Sequence, residues 1–582
     1  MKYQITKRND NGESGAALVM ALLMMALLLA LSMGMSMTAV SELGVTNTYS
    51  NQTQAFQAAE AGIYHALNLT RNYTGTGSAS VGFTDLLAER GTVSTNYLTG
   101  NNPFTNSARF AAGSVMIGDD DALGHALLSA NVDGAGNQLA APGVHYRVHM
   151  VDDEKTSSTA SVKIPNFSPS IAWEDGNAAT DTNNRVVVYS TGTYGSSSVT
   201  LEGWIGFVPY PAFVAQRNVT VDGNAQIEGA YGGVHSNGNL TVSASASVAQ
   251  TATAVGTGTF TTNGTIGGFH AGGQDPLYIP RFVTEPTATS KPHLQDYIVQ
   301  AADVILLDPG FADQATRDLT GNSAATVRLR KLADSLAVPS SQYTAFATAI
   351  DDNTTGVVDQ SGAEAVGINR STNPITFTRV TTSLSTYGWN YSGDNWNIPS
   401  NSSGASGHTF YVVGEDHYNL ASPTTGLKNG GNVDIQGNAG SLATPLQTSI
   451  LCTGSITISG NPYMQANLQN LRTPELPPFV SVNILMAAVE DLKINGDVGA
   501  GSGTIRFSGI CYAGEQVYLS GNGEIRGQVL ALNNPNVHGT TGSNGSPVDR
   551  DDNEVTGSFT LDFDGGRAVG KISLMSWRQI KQ

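Results

Sequence analysis

The chain has 582 residues, with 29 Lys and Arg against 47 Asp and Glu and a formal net charge of −18. Without a basic surplus to neutralise phosphates, a nucleic-acid-binding role is excluded. The length exceeds the roughly 250–300 residues that one hydrophobic core supports, so more than one domain is expected. The 66 Gly and 22 Pro, beside 40% hydrophobic residues, point to turn-rich β architecture rather than disorder.

The first predicted element is a helix. Residues 16–40, AALVMALLMMALLLALSMGMSMTAV, contain neither a charge nor a proline. At about 1.5 Å per residue such a helix crosses a hydrocarbon core of ~30 Å. Lys2, Lys7 and Arg8 precede it and favour a cytoplasmic leader. The apolar run is longer than the ~7–15 residues of an ordinary secretory signal. Beyond it, Phe56, Ala59, Ile63 and Leu67 recur at spacings of three and four, one apolar face of a helix that reaches about residue 70, with a bend allowed at Gly44.

The leader ending in Gly15, the apolar helix and QAFQAAEAGIYHALNL (residues 54–69) together resemble a PilX-type minor pilin of the type IV pilus. The resemblance implies cleavage by a prepilin peptidase between Gly15 and Ala16, and it places Glu60 in the tail of the family's first helix. It also implies an inner-membrane subunit that joins other pilin subunits and displays its head at the cell surface. Major pilins carry a Glu at the fifth mature position, where this chain has Met20. A subunit without that carboxylate is expected at a fibre end, or sparsely within the fibre. The same stretch also reads as a plain signal anchor.

After a polar passage (residues 72–107), Val144, Tyr146, Val148 and Met150 alternate with His145, Arg147 and His149, the period of a half-buried strand. Residues 186–189 and 199–207 read as further strands, an antiparallel meander after a long helix. The loop 174–184 between them carries Asp175, Asn177, Asp181 and Asn183, hard oxygen donors of the kind Ca²⁺ accepts. Their spacing is not that of an EF-hand, and a solvated turn has the same composition. Asp549, Asp551, Asp552 and Asn553 make a weaker case of the same kind.

The second half repeats a six-residue unit: apolar, any, apolar, any, Gly, Asn or Asp. It reads VTVDGN (219–224), VDIQGN (433–438), ITISGN (456–461), LKINGD (492–497) and VYLSGN (517–522), with LTVSAS (240–245) degenerate. Each unit predicts a short strand with two inward apolar side chains, then a corner where Gly reaches positive φ. Close pairs lie 21, 23 and 25 residues apart, a period suited to one coil of a β-solenoid. GVHSNGNLTV (233–242) and GICYAGEQVYL (509–519) support the same phase, although hairpins of a sandwich share these local signals. Between the copies lies an insertion with helical patterns at 293–302, 325–337 and 341–350. A strand at 408–413 follows, and LRTPELPPF (471–479) is a shorter insert. The closing SWRQIKQ (576–582) resembles the Trp-Arg ending of large PilX-type proteins.

No H-E-x-x-H, C-x-x-C, Walker A, G-x-G-x-x-G or G-x-S-x-G sequence occurs. Asp434, Asp497 and Glu524 are the carboxylates a polysaccharide lyase or hydrolase would need to cluster, but they fall at outward positions where solvated carboxylates are ordinary. No enzyme and no cofactor is expected, Ca²⁺ apart. Cys452 and Cys511 precede neighbouring repeat units, so stacking offers a disulfide; their offsets of four and six residues to the next strand count against it. Both outcomes stay open.

The expected fold is mainly β with a long N-terminal α-helix, a pilin-like helix and antiparallel meander followed by a β-solenoid-like repeat domain with a partly helical insertion. The expected segments are a leader (1–15), the helix (16–70), a β head (71–212), first coils (213–265), an insertion (266–425), later coils (426–540) and a C-terminal β segment (541–582). The expected function is a minor-pilin-type component supporting pilus assembly or surface adhesion. The alternative is a permanently membrane-anchored surface solenoid that binds polysaccharide or another cell.

Overall fold

A computed structural model describes residues 13–73, 83, 86, 125–132, 138–152, 185–280, 298–308, 330, 332–350, 364–379, 388–392, 395–398, 405–414, 431–441, 443–471, 482–496, 507–533, 552–565 and 569–580. It has a long N-terminal helix followed by mostly β structure, with antiparallel and parallel sheets. The chain divides into two compact units. One holds residues up to Tyr73, Phe83–Gly206 and Ser573–Gln582; the other holds Phe207–Ile572 and Thr74–Gly82.

In the first unit the helix α1 (Glu13–Arg71) runs unbroken for 59 residues, about 88 Å at the usual rise. It passes without a break through Gly44, where the sequence allowed a bend and where Thr48 Oγ1 donates to the Gly44 carbonyl at 2.8 Å. Strands β1 (His125–Val132), β2 (Gln138–Asp152), β3 (Arg185–Tyr194) and β4 (Ser197–Pro209) form an antiparallel meander. The C-terminal strand Gly570–Ile580 adds to β4 and completes five strands. The expected C-terminal segment is thereby divided: its last strand belongs to the head sheet, while its earlier strands belong to the solenoid.

The second unit is a three-faced β-solenoid. A coil visits a first face (as in Phe213–Ala215), a second (Asn218–Val221) and a third (Gln226–Glu228). All six copies of the sequence repeat lie in the ten-stranded second face. Their inward positions align in register: Val433, Ile456, Leu492 and Val517 form one column, and Ile435, Ile458, Ile494, Leu519 and Val555 another. These side chains are buried in one continuous core. Burying each contributes roughly 1.5–3 kcal/mol, which is why apolar residues recur at this period.

The stack does not follow chain order. The chain enters three first-face strands from one end, builds coils outward to His270–Ala271, and resumes towards the other end with Asp303–Asp308. It then returns coil by coil until the last coil lies parallel on the first: Val529↔Phe213, Asn553↔Val219 and Leu561↔Ile227. The first and later coils are therefore one stack rather than two segments. Asn553 stands at this seam where neighbouring coils carry Val or Leu. Buried, it accepts from the Val517 N–H at 3.0 Å and donates to Asn218 O at 2.9 Å and Asn533 Oδ1 at 3.0 Å.

Corner chemistry follows two rules. Gly223, Gly437 and Gly521 have positive φ, as the repeat predicted. Gly460 does not; there a Cβ would lie 2.0 Å from Gly437 N, so close approach of successive coils excludes a side chain instead. Before the second-face strand, Asn218, Asn239, Asn432 and Asp491 each accept from the N–H of the next coil at 2.8–3.2 Å.

The expected insertion is not separate from the solenoid. Asp303–Asp308 and His408–Val412 pair in parallel and extend the first face, and Asn395–Ile398 extends the second. Helix α2 (Tyr343–Ile350), preceded by a 3₁₀ turn at Ser340–Gln342, buries Phe346, Ala347 and Ile350. With Leu332, Ala333 and Leu336 they form a second core over the outer side of the first face. Of the helical pattern at 293–302 the second half is described: Ile298 is helical and buried, and a turn follows it. Of the insert at 471–479 only Leu471 is among the described residues.

Candidate functional site: the amino-terminal helix and its seat

The two halves of α1 differ in what covers them. Residues 15–50 are exposed throughout. Their most apolar window of 18 residues has no buried residue, and by length and composition this helix is long and apolar enough to cross a membrane. Gly15 lies in this exposed half, with open space where a Cβ would stand. Ala16 is exposed beside it, and Met20 is 69% exposed.

The lower half sits on the sheet through small residues. Ala55, Ala58, Ala59 and Ala66 are fully buried, together with Ile63, Leu67 and Leu69. A Cβ on Gly192 of β3 would come within 2.0 Å of the Ala55 carbonyl, and one on Gly62 within 2.1 Å of Ser190 Oγ. Helix and sheet backbones therefore touch, which only Gly at those points permits. The AAEAG segment is thus a packing motif: Ala58, Ala59 and Gly62 face the sheet, while Glu60 and Ala61 stay half-buried at the side. Of the predicted apolar face, Ala59, Ile63 and Leu67 are buried. Phe56 stands at the margin, edge-on to Trp577 at 5.7 Å. His65 Nδ1 and Tyr146 Oη are 2.5 Å apart, and burial pushes the Tyr146 hydroxyl well above its usual pKa.

Sequence reasoning missed the group that fastens the last strand. Glu202 on β4 is fully buried. Arg578 meets it with Nε at 2.9 Å and an Nη at 3.1 Å. Trp204 Nε1 donates to it at 2.8 Å and the Tyr189 hydroxyl at 3.3 Å. A buried carboxylate is tolerable only when paired in this way. The signal was present as a lone Glu within the apolar run VTLEGWIGF and as the Trp-Arg of the C-terminus.

The remaining candidates do not converge. Asp434 is half-buried on the second face and Glu524 on the third, so the solenoid does not bring these two together; Asp497 lies outside the described residues. So do Asp175, Asn177, Asp181 and Asn183, with Asp549 and Asp551. Among the described residues no group of three or more His, Cys, Asp or Glu is arranged to hold a metal ion.

Cys452 and Cys511 are buried free thiols, the unbridged of the two outcomes left open by the sequence. Register gives the reason. Cys452 aligns with Ala488 and, through it, with Ala513, whereas Cys511 aligns with Met486 and Ile450. The two cysteines are thus two strands apart, ~9–10 Å at the usual spacing, and displaced by two residues besides. That is beyond the Cα separation a disulfide spans, about 7 Å at most. Burial pushes the Cys511 thiol up to about 12 and that of Cys452 well above its usual value.

No protein-family model matches the chain, and no curated protein matches it either. Among solved structures, a competence-associated pilin, ComZ from Thermus thermophilus, is similar at 11% identity and a TM-score of 0.26, over 91% of this chain and 97% of that one.

Proposed function

We propose that this chain is a pilin-type subunit of a type IV pilus or related filament, a minor pilin cut after Gly15. Its helix is a membrane anchor before assembly and a packing element after it, and its solenoid is a displayed head with a structural or adhesive role. The observation that carries this reading is the division of α1: an exposed, charge-free apolar half continuous with a half seated on an antiparallel sheet. An exposed helix of that composition is unstable in water and requires lipid or other helices around it. The peptidase, the other pilin subunits and the sparse or terminal place that Met20 implies rest on the family resemblance. The head is read as structural or adhesive rather than catalytic; in support, two of the three candidate carboxylates, Asp434 and Glu524, stand on different faces.

Mass spectrometry of the mature N-terminus tests the proposal. A chain beginning at Ala16 and recovered with sheared filaments is the expected result. An intact Met1, or a cut beyond residue 40, overturns it in favour of a permanent anchor or a secreted protein.

A further inference from the structure

The two ends of the solenoid are finished differently. At one end, antiparallel hairpins close the stack: Asn390–Ser392 folds on Asn395–Ile398, and Glu364–Asn369 on Thr376–Arg379. Trp389 and Trp396 are fully buried beneath them. At the other end no described strand lies beyond the last coil. Gly258–Phe260 pairs with Leu240–Val242, and His270–Ala271 with Ala252–Ala254; Gly258–Phe260 is the outermost strand of the second face among the described residues. The inward side chains of this coil, Phe260 and Ile266, are only half-covered. Phe269 beside them is 60% exposed.

The chain does not return to cover this end in the described residues that follow. After Gly273 it runs back along the outer side of the first face. There Leu277 exchanges hydrogen bonds with Asn237 at 2.8 and 2.9 Å, Ile279 is buried, and the Pro280 carbonyl lies 3.5 Å from the Tyr512 hydroxyl. The Tyr512 strand lies five strands from the open end, roughly 24 Å at the usual spacing.

The composition of the open end is distinctive within this chain. Residues 229–274 contain no Asp, Glu, Lys or Arg, although the protein carries a net charge of −18. Natural edge strands avoid self-pairing through charges, prolines or covering segments, and this coil has no charge or proline. For two copies of so acidic a chain, a charge-free edge is where approach meets least repulsion.

We infer that the open coil is a self-association surface whose occupant is the same coil of a second copy. At the hairpin end the outermost second-face strand, Asn390–Ser392, runs against the stack, so head-to-tail contact would not continue the parallel register of this face. The contact is therefore isologous, with Gly258–Phe260 pairing antiparallel to its counterpart and Phe260 and Ile266 covered by their equivalents. The seam within the chain shows that these coils accept a neighbour that does not follow in sequence.

Cysteine cross-linking of the full chain in detergent tests this, because both native thiols are buried. H270C at the open end is expected to form a disulfide-linked dimer under mild oxidation, and S371C at the hairpin end is not. Adding T259K, which sets like charges opposite each other, is expected to lower the H270C yield at least about tenfold. If T259K disturbs folding by circular dichroism, the contrast between H270C and S371C decides alone. A monomeric H270C, or equal linking at both ends, overturns the inference. Monomers that are instead retained on neutral dextran overturn it in favour of a glycan surface. The outcome is independent of where the N-terminus is cut, so this inference and the pilin proposal fail separately.

Discussion

The first and second faces of the solenoid are made by the same coils, yet they obey different rules. Second-face strands bury one side only, and they alternate: VTV, VDI, ITI, LKI, VYL. First-face strands are covered on both sides. Ile450, Cys452, Cys511 and Ala513 point into the solenoid core, while Leu451, Ile510 and Tyr512 point into the helical cover. Such strands read as nearly continuous apolar runs, as sheets covered on both faces do. Alternation in a sequence therefore marks where a solenoid meets water, and its loss marks where something is packed against it.

The largest expected effect concerns the inward thiols of the first face. A thiol reagent should label Cys452 and Cys511 at least ~100-fold more slowly in the folded protein than after denaturation, since reaction requires opening of the core. Two thiols should then react without reductant. Rapid labelling of the folded protein would contradict the double covering.

Tyr512 and Tyr518 give a matched pair in one coil, one outward on each face. Tyr512 is 1% exposed, whereas Tyr518 is half-buried. Y512A is expected to cost about 3–5 kcal/mol, as large-to-small changes in cores do, and Y518A under ~1 kcal/mol. Denaturant titration of both variants checks the contrast, and equal losses would dissolve it.

The seam sharpens the comparison. Asn553 occupies the position where its second-face neighbours are apolar, so pattern alone favours N553L. That change strands the Val517 N–H and the Asn218 carbonyl in the core. An orphaned buried polar group costs about 1–3 kcal/mol, so N553L should destabilise by about that amount despite matching its column. A neutral or stabilising result in the same titration would remove the seam's polar requirement.

These contrasts explain what could be read in the sequence. The helix and the second-face strands were legible because each has a periodic exposed side. The seat of α1 was legible as AAEAG, although the sheet glycine opposite it, Gly192, carries no local signal. The coil order was not legible. That Val529 lies beside Phe213 depends on a pairing more than 300 residues apart in sequence, and the Gly-Asn units look alike in any order. Glu202 and Arg578 were invisible as a pair for the same reason. The insertion was misjudged as separate because its first-face strands are apolar throughout and lack the alternation by which the repeats were recognised.

The smallest expected effect tests the corner ladder that both faces share. Three of the four corner acceptors are Asn and the fourth is Asp491, whose Oδ1 accepts from the Gln516 N–H at 3.2 Å. Burial raises the Asp491 pKa, against the opposing pull of that N–H and of Lys493. A carboxyl group raised in the folded state binds its proton more tightly there than in the unfolded chain. Its contribution to stability is therefore lost as pH rises from the unfolded value, about 3.9, through the folded one. D491N keeps the acceptor and removes the titration. It is expected to be slightly more stable than the parent at pH 7, with the difference shrinking as the pH approaches 4. Paired denaturant titrations at the two pH values measure this. A D491N variant that is less stable at pH 7 would mean that the charge itself holds the corner, and that the asparagines elsewhere in the ladder are not its equivalents.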